Sequence, residues 1–197
     1  MKKNKTSFLK ENYSASLKFI RQSRNFIYAA TAVFFGFALI AFFIPVPDYV
    51  RQEIIKILEE IIKKTEGMSR FELIRFIFFN NAQSSFLGLI LGVFLGIFPL
   101  FFAAFNGYVL GFVALMAVEA GGAGVLWRIL PHGIFELPAV FISLGFGLRT
   151  GMLIFQHGKL KSFKHYFYEL ARAFIFVVLP LLAIAAIIEG ISIFLFK

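Results

Sequence analysis

The chain has 197 residues, 59% hydrophobic and 16% charged, with 29 Phe and a mean hydropathy of +0.82. A soluble domain is nearer one-quarter charged, so this composition excludes a globular protein with a polar surface and indicates an all-α, polytopic membrane protein. The net charge is +9 and there are no cysteines, which excludes disulfides, thiol catalysis and Cys-ligated metal.

The charge is distributed as a membrane topology requires and not as a nucleic-acid surface would be. Residues 1–25 hold seven Lys/Arg and one acid, residues 149–172 hold five and one, and residues 46–75 hold six of each sign. Basic residues crowd cytoplasmic segments of membrane proteins. The N-terminus and the 149–172 loop are therefore expected in the cytoplasm, where they also attract anionic lipid. No linker or low-complexity tract divides the chain, so residues 1–197 are read as a single membrane domain.

A basic N-terminus, 1–25, leads into the first span, about 26–45, ended by Pro45 and Pro47 and read as a retained signal anchor. Residues 46–80 are read as extracytoplasmic. Within them, 48–66 place Val50, Ile54, Ile57, Leu58, Ile61 and Ile62 at helical spacing, with Arg51, Gln52, Lys56, Glu59, Glu60 and Lys63 on the other side. That pattern predicts an amphipathic helix on the membrane surface or against a partner subunit. Ser69 and Glu72 fit a capping box and predict a new helix from about residue 70. Asn80, Asn81, Gln83, Ser84 and Ser85 then interrupt the apolar run. The second span is placed at about 86–105, with Gly88, Gly92 and Gly96 on one face for close helix packing and Pro99 bending it. Asn106-Gly107 reads as a turn, with Gly111 in the short third span, about 108–120. The fourth span is about 126–148 and the fifth about 173–195. Five crossings put the N-terminus inside and the C-terminus outside, in agreement with the charge pattern. No internal repeat is evident.

The polar residues inside these spans are the candidate functional groups. Arg128, His132 and Glu136 recur at steps of four and share one helix face. Pro131 and Pro138 flank them, each removing a backbone donor, so the helix is expected to break around 131–138 and line a cavity. His132 and Glu136 offer two ligands where zinc takes three or four; with no HExxH helix, a metal site would need Asn80, Asn81 or Glu119 to complete it. As a proton or solute relay the same pair would need a cavity. A structural reading pairs Glu119 with Arg128 across the glycine turn, and His132 and Glu136 with Asn80, Asn81 or another subunit. Glu189 reads as interfacial and Arg149 as a topology residue. Ser84, Ser85 and Ser143 lie in no GxSxG elbow, and no phosphate or dinucleotide loop is present.

The order Asn80-Asn81, then Gly88/Gly92/Gly96, Asn106-Gly107 with Gly111, and Pro131-His132-Gly133 through Glu136-Leu137-Pro138-Ala139, resembles the stage II sporulation protein M family. The likeness covers about residues 70–155 by motif, with 86–155 as the family-type core. It implies a multi-pass membrane protein of bacteria or archaea. In spore formers it implies a protein that recruits and anchors peptidoglycan-degrading enzymes without being the hydrolase.

Three functions follow as expectations. The first is a non-enzymatic, homo-oligomeric scaffold in a prokaryotic cell membrane, with cell-envelope proteins as partners, the bilayer as its surroundings, and no cofactor or nucleic acid. The second is a transporter or channel for an ion, lipid or small solute using His132 and Glu136. The third is a membrane-embedded metallohydrolase.

Overall fold

The computed structural model describes residues 5–44, 46–128, 130–154 and 160–195; within these, the side chains of residues 5–6, 127–128, 130–132, 154, 160–163 and 194–195 lie outside the description. The described chain is helical with no strand: α1 (Lys5–Gln22), α2 (Arg24–Phe43), α3 (Asp48–Thr65), α4 (Arg70–Ile90), α5 (Ile97–Gly121), α6 (Leu130–Ile154), α7 (Leu160–Ala173) and α8 (Leu179–Leu195). Five stretches are long and apolar enough to cross a membrane: Arg24–Phe43, Arg70–Val93, Ile97–Gly121, Gly133–Leu153 and Lys164–Ile193. They also expose large apolar side chains such as Phe35, Phe37, Phe101, Phe105 and Ile175, a surface that water would penalise and lipid accepts. The chain is a multi-pass membrane protein.

The expected boundaries of the second and third spans are corrected. The capping box forms: Ser69 Oγ accepts from the Glu72 N–H at 3.4 Å and the Ser69 N–H donates to Glu72 Oε2 at 2.9 Å. The helix it starts then runs unbroken to Ile90, so Asn80 and Asn81 lie in mid-span and residues 70–80 belong to the membrane helix. Two short amides cost a helix of this length less than a break would, because their backbone groups stay bonded. The chain reverses instead at 91–96, through a 3-10 turn at Leu91–Val93, Leu95 at φ 57° and Gly96 at φ 74°. Pro99 follows in the first turn of α5, where its missing N–H costs nothing. Asn106-Gly107 is the middle of α5 and not a turn.

Close backbone contacts fix the helix directions. Gly107 sits against the carbonyl of Phe34 and Gly111 against that of Ala38, so α5 runs parallel to α2. Gly145 meets Ile27 while Phe141 packs on Phe34, so α6 runs antiparallel to α2. Gly88 meets Leu144 and Gly92 meets Gly147, so α4 runs with α6. Gly190 meets Ile74 and Ala186 packs near Ile77, so α8 opposes α4. Hence α2, α5 and α8 run one way and α4 and α6 the other. α6 is the central helix, with over half of its span buried, the largest share of the five.

The remaining helices cap the two ends. α1 packs on α7 at the end where α2 and α8 begin, through contacts such as Phe19–Tyr166. α3 lies at the opposite end, its Ile54 buried with Ala41, Val46 and Phe112. α7 continues through a π-helical stretch, Phe174–Val178, into α8. Pro180 sits just beyond; a widened turn there absorbs the hydrogen bond its ring cannot make.

Candidate functional site

The helix carrying Glu136 does not break. α6 is continuous from Leu130 to Ile154 with Pro138 inside it. Pro131 occupies its first turn, where the N–H is unneeded, so only Pro138, itself exposed, removes a ladder bond, and the helix continues through it. The cavity expected from a broken helix around 131–138 is therefore not supplied by that mechanism.

The predicted polar residues disperse. His132 and Arg128, and with them the Glu119–Arg128 pair and the His132 half of the weak metal candidate, lie outside the described side chains; Glu119 is exposed at the end of α5. Among the described residues no three His, Cys, Asp or Glu converge as a metal would require. Asn80 points outward and Asn81 is half-buried toward the bundle, with Asn80 Nδ2 3.4 Å from Asn81 Oδ1. Asn106 is exposed and donates to its own helix, to the Phe102 carbonyl at 2.8 Å. Gly88, Gly92, Gly107 and Gly111 are all taken up in contacts within the chain, and Gly96 forms the reversal.

Glu136 is half-buried, and among the described residues Glu189 of α8 is a charged group close enough to act on it across helices. The two carboxyls, one on α6 and one on α8, both lie toward the end of the bundle where α3 lies.

A second polar centre escaped the sequence reading. Arg149, half-buried near the end of α6, donates from Nη1 to Ser23 Oγ at 2.7 Å. Its guanidinium lies 5.0 Å from the Phe19 ring centre and 5.3 Å from that of Tyr166. Tyr166 Oη donates to the Phe146 carbonyl at 3.1 Å, and Thr150 Oγ1 donates to the same carbonyl at 2.8 Å. This cluster ties α1 and α7 to the central helix. The sequence signal was present: an Arg at the end of an apolar run, with Tyr and Phe on both flanking basic helices.

α3 is split along its length. Ile54 is buried and Val50 and Leu58 half-buried against α2 and α5, but Ile57, Ile61 and Ile62 are exposed. On its polar side Lys56 Nζ donates to Glu53 Oε1 at 2.6 Å, a bond that raises the lysine pKa above its ordinary value.

A family model described as Stage II sporulation protein M matches residues 24–192, which reaches from the first span into the fifth. An uncharacterized protein of Methanocaldococcus jannaschii, MJ0706, is 28% identical over 157 residues, covering 77% of this chain and 69% of that one. No solved structure matches.

Proposed function

This chain belongs to the stage II sporulation protein M family, and on that premise we propose that it is a non-enzymatic scaffold of a prokaryotic cell membrane. It assembles with copies of itself and anchors cell-envelope proteins at the face that carries α3. In a spore former those partners would be peptidoglycan-remodelling hydrolases. The observation that supports this reading is the course of α3: its apolar stripe is seated on α2 and α5 as far as Leu58 and continues exposed through Ile61 and Ile62. A helix so divided has one half fixed to its own protein and one half available to something else. The family-type glycines do not supply the oligomer contact, because the bundle consumes them.

The test is a photo-cross-linking side chain placed at Ile61 or Ile62 in native membranes. Protein adducts at these positions, absent when the probe is moved to Lys63 on the charged side, are the expected result. Adducts to lipid alone would remove the scaffold reading.

The Glu136–Glu189 approach favours a second reading, movement of protons or cations through the bundle. Ion flux in liposomes containing the purified protein tests it: flux that is unchanged in a Glu136→Gln, Glu189→Gln double variant sinks it.

A further inference from the structure

α4 presents its most polar face away from the bundle. Leu73, Ile77, Gly88 and Leu89 are buried against α6 and α8. On the opposite side Glu72, Phe79, Gln83 and Ile90 are exposed; Phe86 is exposed at its margin, its ring 5.7 Å from that of Phe174, and Phe76 is half-buried with its inner edge on the Leu73–Ile77–Ala186 cluster. These six positions follow one another at steps of four, three, four, three and four. That is the heptad spacing of a left-handed coiled coil, with Phe76, Gln83 and Ile90 at one set of seam positions and Glu72, Phe79 and Phe86 at the other. Gln83 falls in the middle of the span Arg70–Val93, where a side-chain amide facing lipid has no water to bond.

The surface between these residues is concave. A hollow of about 360 Å³ is lined by Glu72, Arg75, Phe76, Phe79, Asn80 and Gln83. In a parallel pair of helices a Phe76 knob would enter a hole made by the other copy's residues 72, 75, 76 and 79. A Phe79 knob would enter one made by 76, 79, 80 and 83. The two holes together comprise the same six residues that line the hollow.

We infer that α4 is a dimerisation seam, pairing in parallel with α4 of a second copy of this chain about a two-fold axis along the membrane normal. The inference rests on the oligomeric part of the scaffold reading and names its surface. A second copy is favoured as occupant because the seam complements itself. A two-fold axis brings Gln83 onto Gln83, and a primary amide both donates and accepts, so one residue type satisfies its own image. A single amide at such a position also fixes register and partner number. Arg75, whose guanidinium lies 5.7 Å from the Phe79 ring centre, flanks the seam at the place from which it reaches the Asn80 amide of the other copy, five residues along. Glu72 lies at the membrane edge, held by Ser69.

Because the chain has no cysteine, single cysteines report on it in native membranes without background from other thiols of the chain. Cysteines placed singly from residue 76 to 90 are oxidised, and the products are sized against the 22.3 kDa chain. The expected result is cross-linking that peaks at 76, 79, 83, 86 and 90, gives a product of twice the chain mass, and is weak at Ser84 and at Tyr28 on α2. Gln83→Leu keeps the volume and removes the amide; it should lower the association constant roughly three- to tenfold in a background with cysteine at Phe79. Cross-linking without this periodicity, a product of any other mass, or an unchanged constant in Gln83→Leu overturns the seam. The photo-cross-linking at α3 is read separately, so loss of the seam leaves partner anchoring standing, and loss of anchoring leaves the seam.

Discussion

Gly92 lies directly on Gly147: a Cβ at Gly92 would stand 2.1 Å from the Gly147 carbonyl oxygen and 2.5 Å from its Cα. The obstacle is backbone, which cannot rotate aside as a side-chain tip would, so the 3-10 turn that follows α4 must move off α6 to admit one methyl. Gly92→Ala is expected to destabilise the bundle by about 2–3 kcal/mol, the upper part of the range for overpacking. Gly36→Ala provides the control: nothing lies within 4 Å of that position in the interior of α2, so the substitution should be neutral or stabilising by up to about 1 kcal/mol through helix propensity. Reversible denaturation in SDS followed by circular dichroism would separate the two; equal stabilities would contradict the contact.

The reversal between α4 and α5 stores strain at Leu95, the one non-glycine residue with positive φ among those described. A left-handed conformation costs an L-residue with a side chain roughly 1–2 kcal/mol that glycine does not incur. Leu95 is half exposed, so shortening it sacrifices little packing. Leu95→Gly is therefore expected to raise the unfolding midpoint, and Gly96→Ala, at φ 74°, to lower it. A Leu95→Gly variant less stable than the parent would show that the side chain's contacts outweigh the backbone strain.

Much of this architecture was legible in the sequence, and the misplaced parts share one cause. The amphipathic α3, the helix start at Ser69, the five crossings and the family-type motifs could all be read because each is a local pattern. The boundaries of spans two and three could not. Asn80-Asn81 and Asn106-Gly107 resemble interruptions, but inside a membrane helix an amide that bonds its neighbour, or its own backbone as Asn106 does to Phe102, leaves the ladder intact. Gly107 is there because α2 approaches it and not because the chain turns. Gly147 and Gly151 on α6, which meet the backbones of Gly88 and of Leu95 and Gly96, escaped notice because what makes them necessary is a helix some sixty residues earlier. The same limit hid the approach of Glu136 to Glu189 and the role of Arg149, both created by helices distant in sequence.

Arg149 is expected to hold α1 and α7 to the bundle through its bond to Ser23 and its stacking on Phe19 and Tyr166. Arg149→Lys keeps the charge but loses the planar group that stacks on two rings and reaches the hydroxyl. Loss of these contacts should cost roughly 1–3 kcal/mol, from cation–π and charged hydrogen-bond terms together. Tyr166→Phe should cost about 1 kcal/mol by removing the bond to the Phe146 carbonyl. The effect is local, so hydrogen exchange is the suitable measurement: α1 amides should lose protection in Arg149→Lys, while those of α4 and α5 keep theirs. Uniform loss across all helices would assign Arg149 to global stability instead.

The two halves of α3 should respond differently to the same chemical change. Ile54 is 3% exposed, enclosed by Ala41, Val46 and Phe112, and Ile54→Ala removes buried methyl groups that the rigid α2–α5 pair cannot collapse to fill. A loss of about 2–4 kcal/mol is expected from the transfer and cavity terms. Ile62 is 63% exposed, so Ile62→Ala opens no cavity and should leave the unfolding midpoint within about 0.5 kcal/mol of the parent. If α3 anchors a partner, the order reverses in a binding measurement. Ile62→Ala should then reduce cross-linking to that partner in native membranes severalfold, since truncating an exposed apolar anchor at an interface commonly costs about 1 kcal/mol or more. A variant that is stable and still binds at the parent's level would place the contact elsewhere on the chain.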